Sequence, residues 1–234
     1  FLTTNAPSAS ANNTICLGNG GIADGSNAIY IGSGGQAGQD CIGIGEGAVT
    51  VNGPAIAIGR NARAIGSVAL AMGNSATVES SQSIGLSGEN ITVTSAAQRS
   101  VGIGRQVTIQ SNNCIAIGNY ARVLTSASNS MNFATSGVGV GGVSSPNSVN
   151  IAPGNYNTNI TAAAPRAIGI GSANQAMDKV TAPDGIAIGT ESTATAAGAV
   201  SLGREIVANM VDTVSVREIE VQTVGGGITM YSPN

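Results

Sequence analysis

Histidine is absent from this 234-residue chain, and so is tryptophan. Without histidine there is no Ser-His-Asp or Cys-His constellation, and the commonest metal ligand is missing. Aromatic residues make up only 3% and charged residues 9%. A conventional globular core of this size uses large rings to fill volume and bury area, so their scarcity points to a core too thin to hold them. Disordered chains are poor in isoleucine and valine, whereas 42% of this chain is apolar. The net charge is −3 and no run of five basic residues occurs, so nothing points to nucleic acid or an anionic membrane as a partner. No apolar stretch approaches the ~20 residues of a membrane helix, which argues against direct membrane insertion. Residues 1–10 lack the basic start and apolar centre of a signal peptide.

What the chain has instead is a repeat. In AIAIGRNARAIGSVALAMGNSA, residues 55–76, the unit Ile56, Ala57, Ile58, Gly59 returns fourteen residues later as Leu70, Ala71, Met72, Gly73. With the first apolar residue numbered 0, units start at Ile15, Ile29, Ile42, Ile56, Leu70, Ile84, Val101, Ile115, Met131, Val149, Ile168, Ile186 and Val200, and more faintly at Val214. Most steps are thirteen or fourteen residues. Position −1 is small throughout, position −2 is often Asn or Asp, and position +3 is usually glycine. The residues carrying the repeat most plainly are Ile56, Ile58, Gly59, Leu70, Met72, Gly73, Ile115, Ile117, Gly118, Ile186, Ile188 and Gly189. A second short apolar patch follows six to eight residues after each start, as in Ala62/Ala64 and Val107/Ile109.

Alternation over so few residues reads as short strands, and the i, i+3, i+4, i+7 pattern of a helix is not supplied. Glycine at +3 suits a corner of positive φ or close backbone approach, and Asn or Asp at −2 suits another. The fold class expected is all-β, a parallel β-roll or solenoid of ~14-residue coils stacked ~4.8 Å apart. Positions 0 and +2 share one strand face, while −1 and +1 share the other. The large aliphatic face is expected to fill the inside of the coil. The uniformly small face is expected to pack against other copies of the chain, giving a homotrimer. Residues 1–12 form a lead-in, residues 13–208 the repeat domain, and residues 209–234 a β-rich junction or capping tail. Where the steps lengthen, insertions at 125–148 and 152–167 are expected as loops on one side, often the binding side.

Few residues offer chemistry. Arg60, Arg105 and Arg204 follow corner glycines, and with Arg63, Arg99 and Arg122 they form either a mild positive stripe for a sulfated glycan or acidic partner, or a merely solvated edge, the foremost being Arg60, Arg63, Arg105 and Arg122. These four and Tyr156, in an inserted loop, are the candidate partner-binding residues. Carboxylates at Asp178 and Asp184, and at Glu218 and Glu220, read as solvated surface charges, or more remotely as the pair of a glycan-active solenoid enzyme. The threonine pairs Thr92/Thr94 and Thr193/Thr195 form no repeating ladder in the sequence. Cys16, Cys41 and Cys114 each occupy a small-residue position. Cys16 and Cys41 sit two coils apart, roughly 9–10 Å by strand spacing, beyond the ~7 Å limit for a disulfide. No cofactor, metal or catalytic residue is expected.

The units PAIAIGRNARA, VALAMGNSATV, NCIAIGNYARV and GIAIGTESTATA resemble the head repeat of YadA-like trimeric autotransporter adhesins, across residues 13–208. That resemblance implies a left-handed parallel β-roll, three rolls to a head, surface exposure, and adhesion to a receptor, glycan or extracellular matrix. It carries over no catalytic residue. The family's heptad stalk does not follow here, and the closing GGGITMYSPN is similar to junctions in phage and large-virus structural proteins. The expectation is therefore a non-catalytic, extracellular attachment or spacer protein. It belongs to a bacterial cell surface as an adhesin head, or to a virion as a fibre, spike or capsid-decoration protein beside other virion proteins.

Overall fold

The structure, a computed structural model, describes residues 6–135, 142–153, 158–172 and 177–216. It is an all-β solenoid of two 14-stranded parallel sheets, with no helix among the described residues. Successive strands alternate between the sheets, so each lap of backbone contributes one strand to each. One sheet holds the longer strands, which begin at position 0: Ile15–Leu17, Ile29–Ile31, Ile56–Ile58, Leu70–Met72 and so on to Val214–Val216. The other holds strands mostly of two residues, such as Arg63–Ala64, Thr77–Val78 and Thr108–Ile109. Equivalent positions stack in register: Ile56 pairs with Leu70, and Leu70 with Ile84. Fourteen rungs at strand spacing make a rod roughly 60 Å long. The faint unit at Val214 is a true rung, pairing with Val200–Leu202.

Three left-handed points bend each regular coil. At +3, Gly59 has φ 130, and a Cβ there would strike the Gly73 carbonyl of the next coil. At −2, Asn27, Asn113 and Asn129 lie at φ 57–58, a region that Asn enters at little cost. Their amides form a ladder along the rod: Asn113 Nδ2 donates to Asn129 Oδ1 (2.9 Å), and Asn129 Nδ2 to Asn147 Oδ1 (3.1 Å). The third point, at +5, was not legible from composition, because Asn61, Ser75, Tyr120 and Glu191 all occupy it at φ 54–59.

The two strand faces are the reverse of the expectation. Ala57, Ala71, Ala116 and Ala187 at +1, and Ala28, Ala55, Cys41 and Cys114 at −1, are at most 1% exposed within the single chain. The small face therefore lines the inside of the coil, and it is not free to meet another copy. Positions 0 and +2 point outward: Met72, Ile188 and Leu202 are 37–38% exposed. The physical reason is thickness. A lap this short brings its two sheets too close for facing isoleucines, so the interior is filled from alanine, glycine, serine and the second residue of each short strand. Volumes compensate across this thin core. Gly85 and Gly102 at +1 make room for Val78, Ile91 and Ile109, whose methyls would meet any Cβ there. The one large ring inside among the described residues, Tyr30, fits because Gly21, Gly35 and Gly43 surround it. Its hydroxyl donates to the carbonyls of Gly45 (2.9 Å) and Ser33 (3.1 Å).

Longer coils add a turn without leaving the register. Residues 95–97, 125–127 and 162–164 each close with an i+3 bond, such as Ala97 N–H to Thr94 O (2.9 Å), and end on a fully buried alanine. The hydroxyl or thiol at −1 of the preceding coil donates to that alanine's carbonyl: Ser83 to Ala97, Cys114 to Ala127, Ser148 to Ala164. The same oxygens accept backbone N–H groups from the next coil, as Ser83 Oγ does from Ser100 (3.1 Å). At Ser83, Cys114 and Ser148 position −1 is thus small to fit and polar to seam the coils. Within the stretches 125–148 and 152–167 lie the strands Met131–Thr135, Gly142–Val143 and Thr158–Ile160, which continue the two sheets.

Candidate interaction surfaces

The outward face of the long-strand sheet is the largest feature of the molecule. All fourteen rungs carry an aliphatic or aromatic side chain at both 0 and +2, from Ile15 and Leu17 to Val214 and Val216. Ile56, Ile58, Leu70, Ile115, Ile117 and Ile186 are half-buried there by their neighbours along the ladder, while Met72 and Ile188 are exposed. Three residues of strand by fourteen rungs give a strip of roughly 600 Å² in projection. That is the upper end of apolar patches on a monomer, and larger ones mark interaction sites. All-parallel sheets are ordinarily covered on both faces; here the interior covers one.

The middle of the opposite, short-strand face is polar. Arg63, Thr77, Thr92, Thr108 and Arg122 stack in five successive rungs. Three consecutive threonines therefore do form a row, which the sequence concealed because their spacings are fifteen and sixteen rather than fourteen. Arg63 and Arg122 share this face, about 19 Å apart by strand spacing. Arg60 and Arg105 stand elsewhere, on the corner after +3. Arg60 Nε donates to Asn74 Oδ1 (3.4 Å). Arg105 pairs with Glu89 (2.7 Å) and lies 6.0 Å from the Tyr120 ring centroid; Glu89 raises the guanidinium pKa further. The four arginines are not gathered into one patch. Tyr156, Glu218 and Glu220 lie outside the described residues.

Asp184 occupies a left-handed −2 corner, where its carboxylate takes a two-pronged bond from Arg166 at 2.6 and 2.7 Å. Arg166 holds that carboxyl below its ordinary pKa. No group of three His, Cys, Asp or Glu residues suited to a metal occurs among the described residues. The three cysteines are free, and burial pushes the Cys114 thiol up. One buried cation escaped sequence reading. Lys179 is fully buried, at a register shift in the short-strand sheet, and donates from Nζ to the Gly189 carbonyl at 2.6 Å. Burial lowers its pKa to about 8. Nothing in DKV, within a lengthened step, signalled an inward lysine.

Concavities occur on both the short-strand face and a corner of the rod. A notch of about 270 Å³ opens where Gly142 leaves out a side chain beside Arg122, Leu124, Ser144 and Thr161. A larger groove of about 800 Å³ lies along the corner of the first four coils, lined by Asn19, Ser33, Gly34, Glu46, Gly47 and Asn61 among others. No family model matches the chain, and a search of curated proteins finds no match.

Proposed function

We propose that this chain is a non-catalytic homotrimeric rod that projects from a bacterial or virion surface and serves as attachment element and spacer. The observation that carries it is the aliphatic strip, which runs the length of the rod and has no cover among the described residues. With the small face consumed by the interior, the strip is the contact surface between copies. The resemblance of the repeat to trimeric adhesin heads sets their number at three. A solenoid so thin gains little apolar burial alone, and glycine-rich chains bear a large ordering cost, so association supplies burial the single chain lacks. The adhesin reading leads; the closing GGGITMYSPN favours a virion fibre or decoration protein as the second reading.

Light scattering at micromolar concentration tests the assembly. The wild-type chain is expected at three times its monomer mass, and the triple variant Ile58→Ser, Leu70→Ser, Ile117→Ser at one. A wild-type chain that stays soluble and monomeric overturns the proposal.

A further inference from the structure

We propose that the groove at the N-terminal end of the rod is a binding subsite for an uncharged glycan; this deepens the attachment role above and rests on it. The groove, about 800 Å³, falls in the size range of small-ligand sites. Four polar side chains reach it from four successive coils: Asn19, Ser33, Glu46 and Asn61. None of these side chains forms a hydrogen bond within the protein among the described residues. They offer two amides, a hydroxyl and a carboxylate, and no lysine or arginine lines the groove.

The space exists because position +5 carries no side chain in the first three coils, at Gly20, Gly34 and Gly47. Backbone geometry does not demand glycine there. These residues have φ 64–66, and later coils hold Asn61, Ser75, Gln106, Tyr120 and Glu205 at the same corner with φ 52–59. A Cβ on Gly34 would meet nothing within 4 Å. Directly beneath, the Tyr30 hydroxyl ties the Ser33 and Gly45 carbonyls together, so the groove wall is held before any ligand arrives, which reduces the cost of binding.

The ligand class follows from the lining. Each sugar hydroxyl both donates and accepts, and amides with a carboxylate satisfy both needs. Glu46, unopposed by a cation, disfavours sulfated or carboxylated sugars. Among the described residues the lining has no aromatic ring, so one groove binds weakly, and copies carried on one assembly gain by avidity.

Saturation-transfer NMR on the whole chain tests this with cellotetraose, maltotetraose and lacto-N-neotetraose as uncharged probes and a heparin tetrasaccharide as the anionic one. Transfer to at least one uncharged probe is expected, with millimolar affinity and none to heparin. Gly34→Asn, which suits the left-handed corner and fills the groove, is expected to weaken binding tenfold or more. Glu46→Gln, on an exposed side chain, is expected to weaken it several-fold and serves if Gly34→Asn misfolds. No transfer to any uncharged probe, equal transfer in the variants, or preference for heparin overturns the subsite. Light scattering on the same samples separates the two proposals. A trimer without glycan binding removes the subsite alone, whereas a monomer that binds through the groove removes the trimeric spike alone.

Discussion

Between Ile15 and Ile84 a coil closes over alanine; between Met131 and Ile186 it closes over amides, hydroxyls and an ammonium. In the first region Ala55, Ala57, Ala62, Ala64, Ala71 and Ala76 make an interior mostly of methyl groups, with Tyr30, Thr50, Ser80 and Ser83 the polar exceptions. In the second, Asn132 and Asn150 occupy the same +1 position, fully buried. Asn150 Nδ2 donates to Asn132 Oδ1 (3.0 Å), and Asn132 Nδ2 to the Arg122 carbonyl (2.9 Å). Farther along, Lys179 reaches the Gly189 carbonyl. Lap length separates the two regions. Short laps hold their sheets close enough for methyl groups to touch, while laps of sixteen to nineteen residues, such as Val149 to Ile168, admit hydrogen-bonding side chains that satisfy one another and the backbone. The comparison teaches that the outer ladder can stay constant while the inside changes chemistry.

The largest expected effect belongs to the polar half. The Lys179 pKa drops from 10.5 to about 8 in the folded chain. Between those values the unfolded state binds more protons, so unfolding free energy rises with pH, on the order of 3 kcal/mol across the window. Below pH 8 both states hold the proton and the folded state bears the whole burial cost. Urea unfolding of wild type against Lys179→Met checks this. The methionine variant is expected to be the more stable at pH 7.5, with the gap closing by pH 10.5. In the alanine-lined half, Ala71→Leu overfills a coil and should cost about 2–3 kcal/mol, seen as a lowered denaturation midpoint. An enlargement no smaller at outward, exposed Thr92 on the short-strand sheet, as Thr92→Phe, should change little. If both cost alike, the assignment of inside and outside is wrong.

Smaller effects sharpen the account of the corners. Tyr30→Phe leaves the Ser33 and Gly45 carbonyls without their shared donor and is expected to cost about 1 kcal/mol, by the same unfolding assay. Val68 sits at a −2 corner with φ 58 and is 55% exposed, a conformation that a β-branched residue adopts only under strain. Val68→Asn should therefore stabilise by up to about 1 kcal/mol and raise the melting temperature.

Much of this architecture was legible before the coordinates. The fourteen unit starts are the first residues of the fourteen long strands, because glycine at +3 and Asn or Asp at −2 punctuate most laps where the backbone takes positive φ. Hydrophobicity alone puts Ile56 and Ile58 inside, whereas the structure turns them outward. Alanine at 55 and 57 is the better guide, since a side chain that small fits between the two sheets of one lap. The threonine row escaped because inserted turns shift Thr77, Thr92 and Thr108 out of period while the hydrogen bonds hold them in register. The groove left only an absence in the sequence, three glycines where other coils bear side chains. Lys179 turns inward at a register shift, which no local pattern announces.

The coil-to-coil hydrogen bonds join residues one lap apart, as the Gly171 N–H does with the Ile151 carbonyl. No segment has to wait for a distant part of the polypeptide before it can settle. A finished coil is the template for the one that follows, in the way a crystal face receives its next layer. Such a chain can mature in step with its own delivery, solidifying rung by rung as it emerges from a ribosome or a narrow export channel.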